Sequence, residues 1–207
     1  GTAFLLKRQA GLQLWQFIEK HQLPLVGREQ IIISGLEKQM SVEKNGYTFT
    51  GRIDRVELRG ERTYILDYKT SSDDKSVRLK LNKWESIPSG LDPDDSSTWS
   101  EAIQSFQLPM YMLLYNELTR KGIENITPAF LFLGRKEIDE EIEVGLGDEE
   151  TTDAQVYRAV EPIIFNIIAE IFEVKKDFVP TNDLEKQCPQ CPYRTMCGTE
   201  WVRGFQF

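Results

Sequence analysis

Asp54, Asp67 and Lys69 are the residues of this chain best suited to chemistry. They lie in the stretch Gly51-Arg-Ile-Asp-Arg-Val-Glu-Leu-Arg-Gly-Glu-Arg-Thr-Tyr-Ile-Leu-Asp-Tyr-Lys-Thr70, which reads as two short strands joined by a turn at residues 59–62. Side chains alternate across a strand, so Asp67 and Lys69 share one face while Leu66 and Tyr68 take the other. Two carboxylates and a lysine at neighbouring strand positions can hold a divalent cation and place a water beside it. That is the equipment for hydrolysing phosphodiester bonds. An Asp-x-Lys pair in a strand is more often a solvated edge or an ion pair. The context argues otherwise: Ile65 and Leu66 precede Asp67, so the strand leaves an apolar interior and ends in charge. Charge at the mouth of a buried strand is costly unless it is paired or bound to metal.

In such a site Asp54 and Asp67 would be carboxylate ligands of Mg²⁺ or Mn²⁺, hard cations that favour oxygen. The backbone carbonyl of Tyr68 points sideways from the strand and could supply a third protein oxygen. Lys69 would orient the attacking water or stabilise developing negative charge. Arg52 should share the Asp54 face and meet phosphate, whereas Arg55 should lie on the opposite side, pairing with a carboxylate. Glu37 reads as a surface glutamate. Gln107 and Tyr111 are four apart and so share a helix face. Spacing alone makes them a partly buried polar pair in a helix whose other residues include Leu108, Met110, Leu113 and Leu114.

The elements that must position these residues follow from periodicity and punctuation. Residues 3–20 have a helical pattern ending near His21 and Pro24, where a terminal histidine favours the helix dipole. Residues 29–33 and 37–43 read as strands, and Asn45-Gly46 as a tight hairpin turn into a strand over 47–58. A strand over 62–69 completes a meander. Residues 71–99 form an insertion. Its loops are rich in Ser, Asp and Pro and flank Val77-Arg-Leu-Lys-Leu-Asn-Lys-Trp84. That segment is either an amphipathic arm packed on the domain or a basic arm whose Lys80, Lys83 and Trp84 contact nucleic acid. A long helix is expected over 99–121, strands over 127–133 and 138–144, and a capping box at Thr152–Gln155. The helix it opens runs to about residue 176, with Pro162 as a kink or restart. The order of elements implies an α/β fold, a mixed β-sheet flanked by helices.

A chain of 207 residues suits one domain with an appendage, here the cysteine-containing tail at 184–207. No run of 18 apolar residues exists, so no membrane span is expected. No secretory signal pattern opens the chain, which lacks an initiator Met and reads as a fragment of a larger protein. The net charge of −8 argues against a generic nucleic-acid binder. Ten of the 33 acids, however, fall in residues 92–95 and 139–150, leaving 23 acids against 25 bases elsewhere, so a local positive groove remains open. Three cysteines, Cys188, Cys191 and Cys197, cannot make a disulfide framework. Clustered as they are, they point to metal or cluster ligation in a reducing compartment, the cytoplasm. Three thiolates fall one short of the four ligands zinc or a four-iron cluster takes. Free thiols in the tail are the equal alternative.

Gly51-Arg-Ile-Asp54-Arg55 followed by Leu66-Asp67-Tyr68-Lys69-Thr70 resembles the PD-(D/E)XK nucleases. Gln107-Leu-Pro-Met-Tyr111 and Cys188-Pro-Gln-Cys191-Pro-Tyr-Arg-Thr-Met-Cys197-Gly are similar to motifs of the RecB/AddB-type branch and of its iron–sulfur members. The likeness runs from about residue 30 to 198. It implies a restriction-endonuclease-like core and a Mg²⁺- or Mn²⁺-dependent DNA exonuclease leaving a 5′-phosphate and a 3′-hydroxyl. Gln107 and Tyr111 would reach the active site. The parent implied is an AddB-like helicase–nuclease acting in double-strand-break repair with a helicase or nuclease partner subunit. A stand-alone CRISPR-associated-type exonuclease, or a nuclease-like module that binds DNA or a subunit without cutting, are the alternatives. The branch places a motif histidine on a helix well before the Gly-Arg-Ile-Asp strand, and its fourth cluster cysteine far upstream. His21, the only histidine, has the wrong setting and no fourth cysteine exists, so both are missing from this chain. A 4Fe–4S cluster, if complete, would staple the tail, with Tyr193 and Met196 packed around it.

Overall fold

β-Branched and aromatic residues recur through residues 31–69, and in the computed structural model this stretch forms a three-stranded meander. The structure describes residues 2–72, 99, 103, 105–139, 142–147, 151–175, 177 and 183–203. The segment at 77–84 with Lys80, Lys83 and Trp84, read either as a packed amphipathic arm or as a basic one, lies outside them. By contact the chain divides into two compact units, residues 1–167 and 168–207.

In the first unit, β1 (Ile31–Lys44), β2 (Tyr47–Arg59) and β3 (Arg62–Lys69) pair antiparallel in sequence order. β3 then pairs parallel with β4 (Ile126–Phe132), which carries the short β5 (Glu143–Gly145) antiparallel on its far side. The sheet is mixed, as the element order implies. The turn at Asn45-Gly46 has both residues at positive φ, 52° and 79°, the geometry that matches the twist of a two-residue hairpin. The two strands expected before it are one: a register shift between Ile33 and Gly35 absorbs the irregularity without ending the ladder. A strand over 138–144 is not formed; among the described residues only 143–145 pair, while Ile138 and Ile142 drop into the core.

The first helix does not stop at His21. α1 (Thr2–Phe17) passes through a π-helical turn, Ile18–Gln22, into α2 (Leu23–Arg28). Pro24 is tolerated because it sits in the first turn of α2, where the wider turn has already interrupted the α-helical ladder. His21 is therefore inside the helical run and buried, not a terminal residue facing the dipole. Of α1, only Phe17 is buried; it joins Leu66, Ala129, Leu131, Ile138 and Ile142 in a core on one face of the sheet. Phe4, Leu5, Leu12, Leu14 and Trp15 are exposed.

The other face carries α3 (Gln107–Thr119), packed across β1, β2 and β4. Trp99 is helical, as expected, and its carbonyl accepts the Ile103 N–H at 2.8 Å, but Ile103, Ser105 and Phe106 are not helical, so α3 itself starts at Gln107 rather than running unbroken over 99–121. Pro109 explains the start: a residue without an N–H fits only the first turn, where no partner carbonyl is lost. The helix ends with Arg120 in the left-handed region (φ 56°) followed by Gly122 (φ 89°). α4 (Asp153–Phe172) opens on the expected capping box: the Thr152 N–H donates to Gln155 Oε1 (2.9 Å) and the Gln155 N–H to Thr152 Oγ1 (3.3 Å). It runs through Pro162 without ending there. Among the described residues no helix is long and apolar enough to cross a membrane.

In the second unit, α5 (Leu184–Gln187) leads into turns closed by the Cys191 N–H on the Cys188 carbonyl (3.1 Å) and the Thr199 N–H on the Arg194 carbonyl (2.9 Å). Cys188 and Val202 are buried there.

Candidate active site

β3 emerges from the core through Ile65 and Leu66, both fully buried, and presents Asp67 and Lys69 on the α3 side. The placement on one face is as the alternation required. Asp67 is only 4% exposed, and every contact that holds it is a charge or a donor. Lys69 Nζ lies 2.6 Å from Asp67 Oδ2 and donates to Gln107 Oε1 at 2.7 Å. Gln107 Nε2 donates to Asp67 Oδ1 (2.7 Å) and to the Tyr111 hydroxyl oxygen (2.7 Å). The Tyr111 hydroxyl donates to the same Asp67 Oδ1 at 3.0 Å. The Gln107 amide thus has one orientation, oxygen to the ammonium and nitrogen to the carboxylate. The four-residue spacing along the first two turns of α3 gives both side chains this common target.

Asp54 reaches the site by a break in the sheet. The β2–β3 ladder stops at the Arg55–Leu66 pair, one register step short of Asp54 opposite Asp67. Asp54 Oδ2 instead accepts the Tyr68 backbone N–H at 2.9 Å. On its other side, β1–β2 pairing skips both Glu37 and Asp54, and Glu37 has φ 48°. Across this skip the alternation of faces reverses. Arg55 turns toward the π-helical turn, where it meets Gln22. Gly51, four residues away, turns instead toward α3, where an added Cβ would come within 2.7 Å of Leu114 Cδ1. Arg52, next to Gly51, is therefore directed away from α3 and not onto the Asp54 face as expected. It is 64% exposed and pairs with Glu37 (Nε–Oε2 3.1 Å), which is the surface residue anticipated.

Burial, together with the charges of Asp67 and Asp54, pushes the Tyr111 hydroxyl up to about 12. It stays protonated and remains a donor to Asp67. Asp67 Oδ2 is buried and, although close to the Lys69 ammonium, has no partner in hydrogen-bond geometry. Such an acceptor is one a cation would satisfy. Among the described residues no group of three or more His, Cys, Asp or Glu is gathered to hold a metal ion, and the carboxylates placed here are those of Asp54 and Asp67. A pair of hard oxygen ligands fits Mg²⁺ or Mn²⁺, which retain several waters and take substrate phosphate oxygens as well.

The reverse face of the same strands carries a buried charged lattice. Arg55 and Arg59 flank Glu57, which is fully buried and paired with both guanidinium groups. Arg59 also grips Glu143 on β5 with two hydrogen bonds (Nη1–Oε2 3.0 Å, Nη2–Oε1 2.5 Å) and lies 3.9 Å from the centre of the Tyr64 ring. His21 Nε2 meets Glu143 Oε1 at 3.0 Å, and its ring stacks on Phe17. Burial alone would raise Glu143, but His21 and Arg59 hold it at about 2. The pairing of Arg55 with a carboxylate was foreseeable. The rest was not, although charges at positions 55, 57 and 59, with apolar Val56 and Leu58 between them, signal a charged face in a buried strand.

The cysteines form no comparable site. Cys188 is buried, Cys191 half-buried and Cys197 exposed, all as free thiols. Tyr193 and Met196, expected to pack around a cluster, are 63% and 84% exposed. With no fourth cysteine in the chain, this donor set does not fit a four-iron cluster.

The sequence profile of the PD-(D/E)XK nuclease superfamily matches residues 5–198. None of the curated proteins compared with the chain matches it. Among solved structures, one titled "Crystal structure of SSO0001" is similar at 15% identity and a TM-score of 0.30, covering 86% of this chain and 68% of that one. The profile match takes in the sheet, the Asp54–Asp67–Lys69 constellation and α3, and by it this chain belongs to the PD-(D/E)XK nuclease superfamily.

Proposed function

We propose that the chain is a Mg²⁺- or Mn²⁺-dependent deoxyribonuclease, an exonuclease domain of an AddB-like helicase–nuclease that processes broken DNA ends. The observation that carries this reading is the Asp67 carboxylate, buried and shared among Lys69, Gln107 and Tyr111, with Asp54 at the adjoining register step. Asp54 and Asp67 would hold the cation, with the Tyr68 carbonyl as a further oxygen. A bound cation supplies a water of lowered pKa and withdraws charge from the phosphate. Lys69, fixed between Asp67 and Gln107, keeps a positive charge at the open side of the site, where it favours the negative charge that develops on the phosphate oxygens. Gln107 and Tyr111 hold Asp67 in one rotamer, so the carboxylate is set before substrate arrives. The partners on this reading are DNA and a helicase or nuclease subunit.

One observation favours a domain that binds DNA without cutting it. The only histidine, His21, is committed to Glu143 on the reverse face, so none stands at the site. Incubation with end-labelled single- and double-stranded DNA and Mn²⁺ or Mg²⁺ decides between the two. Metal-dependent degradation that falls by about 10²–10³-fold in Lys69→Ala supports the enzyme. DNA retention without degradation by either protein supports the binding module.

A further inference from the structure

Between Asp54 and Asp67 the backbone ladder is missing, yet these two carboxylates must keep a fixed separation to share a cation. Something else must set the splay of β2 against β3. Tyr68 supplies it from both ends. Its backbone N–H holds Asp54 Oδ2 at 2.9 Å on the site side. Its hydroxyl, on the reverse face, receives Nη1 of Arg55 at 3.2 Å. Since Asp54 and Arg55 are covalent neighbours, the four groups close a ring around the end of the strand pair.

The Arg55 guanidinium is itself fixed from two further directions. Its Nη2 donates to Gln22 Oε1 in the π-helical turn at 2.8 Å and is paired with buried Glu57. The Tyr68 ring meets Phe17 edge-on, with centroids 6.1 Å apart. With a side chain only 7% exposed, Arg55 touches neither the site nor solvent to any extent. A buried arginine of this kind acts through its planar, fixed donors.

We infer that Arg55 and Tyr68 are positioning residues that clamp β2 to β3 where the ladder ends and so set the Asp54–Asp67 separation for cation binding. The inference rests on the metal-site reading above and adds two residues that contribute no side chain to the site. Outer partners of metal-holding carboxylates commonly change metal affinity when removed.

Mn²⁺ binding, followed by electron paramagnetic resonance without DNA, tests it on the purified chain. Tyr68→Phe removes only the hydroxyl and keeps the ring on Phe17. It is expected to weaken Mn²⁺ binding about three- to tenfold. The Mn²⁺ concentration for half-maximal cleavage should rise in step, with KM for DNA unchanged. Arg55→Lys, which cannot reach Tyr68, Gln22 and Glu57 together, should behave alike if it folds; Tyr68→Phe keeps the test independent of that. A merely structural role would lower the melting temperature and leave Mn²⁺ affinity alone. Unchanged affinity in Tyr68→Phe, beside a wild type that binds Mn²⁺ and an Asp54→Asn variant that does not, would overturn this inference and spare the metal-site reading. A wild type that binds no Mn²⁺ would sink both.

Discussion

Asp67 accepts from two donors of one helix and lies against one ammonium, and a buried carboxylate in that setting is held more tightly than a solvated one. Removing the Tyr111 hydroxyl should therefore act on the site rather than on the fold. In Tyr111→Phe the lost hydrogen bond to an ionised group is worth about 1.5–3 kcal/mol. Cleavage is expected to drop roughly ten- to a hundredfold, read as kcat on labelled DNA, with DNA affinity little changed. Because Tyr111 is pushed up to about 12, it makes no alkaline limb in the pH–rate profile below about pH 10. Asp54, Asp67 and Lys69 were legible in the sequence because strand alternation and a burst of charge after Ile65-Leu66 are local signals. Gln107 and Tyr111 were legible as a helical pair, and the resemblance gave them a target. The Arg59–Glu143 pairing joins residues 84 positions apart, and no local pattern points from one to the other. The face of Arg52 was misread for a related reason: alternation was extended through Asp54, and the double skip with Glu37 reverses it.

At the scale of elements, the site depends on where α3 rests. Its residues 108 and 111–115 are buried against the sheet, and Leu114 sits over Gly51 of β2. The absence of a side chain there lets helix and strand approach closely. Gly51→Val puts branched carbon into that contact and should cost about 1–3 kcal/mol by overpacking. Lifting α3 withdraws Gln107 and Tyr111 from Asp67, so activity should fall further than stability does. Paired denaturation and cleavage measurements check this, and equal losses in both would contradict it. Sequence placed most elements correctly and most ends poorly. Asn45-Gly46 and Thr152–Gln155 are self-contained signals and fell where expected. The helix over 99–121 was read as unbroken, whereas Ile103, Ser105 and Phe106 are not helical and Pro109 falls in the first turn of α3. The continuation past His21 was missed because a π turn leaves no mark in helical periodicity.

At the scale of the whole molecule, the charges that matter to stability among the described residues lie on the reverse face of the sheet. The chain carries a net −8, yet its sheet buries two arginines against two glutamates behind the site. That lattice should govern acid stability. Glu143 is held at about 2 against its ordinary 4.5. A carboxylate whose folded value is depressed contributes fully above the unfolded value and loses its contribution as pH falls through the folded one. The difference corresponds to about 3 kcal/mol. Between about pH 5 and about pH 3 the stability gap between wild type and Glu143→Gln should narrow by roughly 2 kcal/mol, measured by urea denaturation. A gap that stays constant over that range would place the acid sensitivity elsewhere.

The paired skip at Glu37 and Asp54 also governs how this protein can change length. Each strand holds one unpaired residue there, and the ladder resumes in the same register on both sides. Dropping Glu37 alone would slide β1 by one position and turn its buried side outward. Dropping Asp54 as well would restore an ordinary hairpin, well formed but with no acid beside the Tyr68 N–H. A single-residue change of length at this step is therefore expected to disturb the sheet more than one in the turns at 45–46 and 60–61. Relatives that differ in length at position 54 should be the ones that have given up the chemistry and kept the sheet.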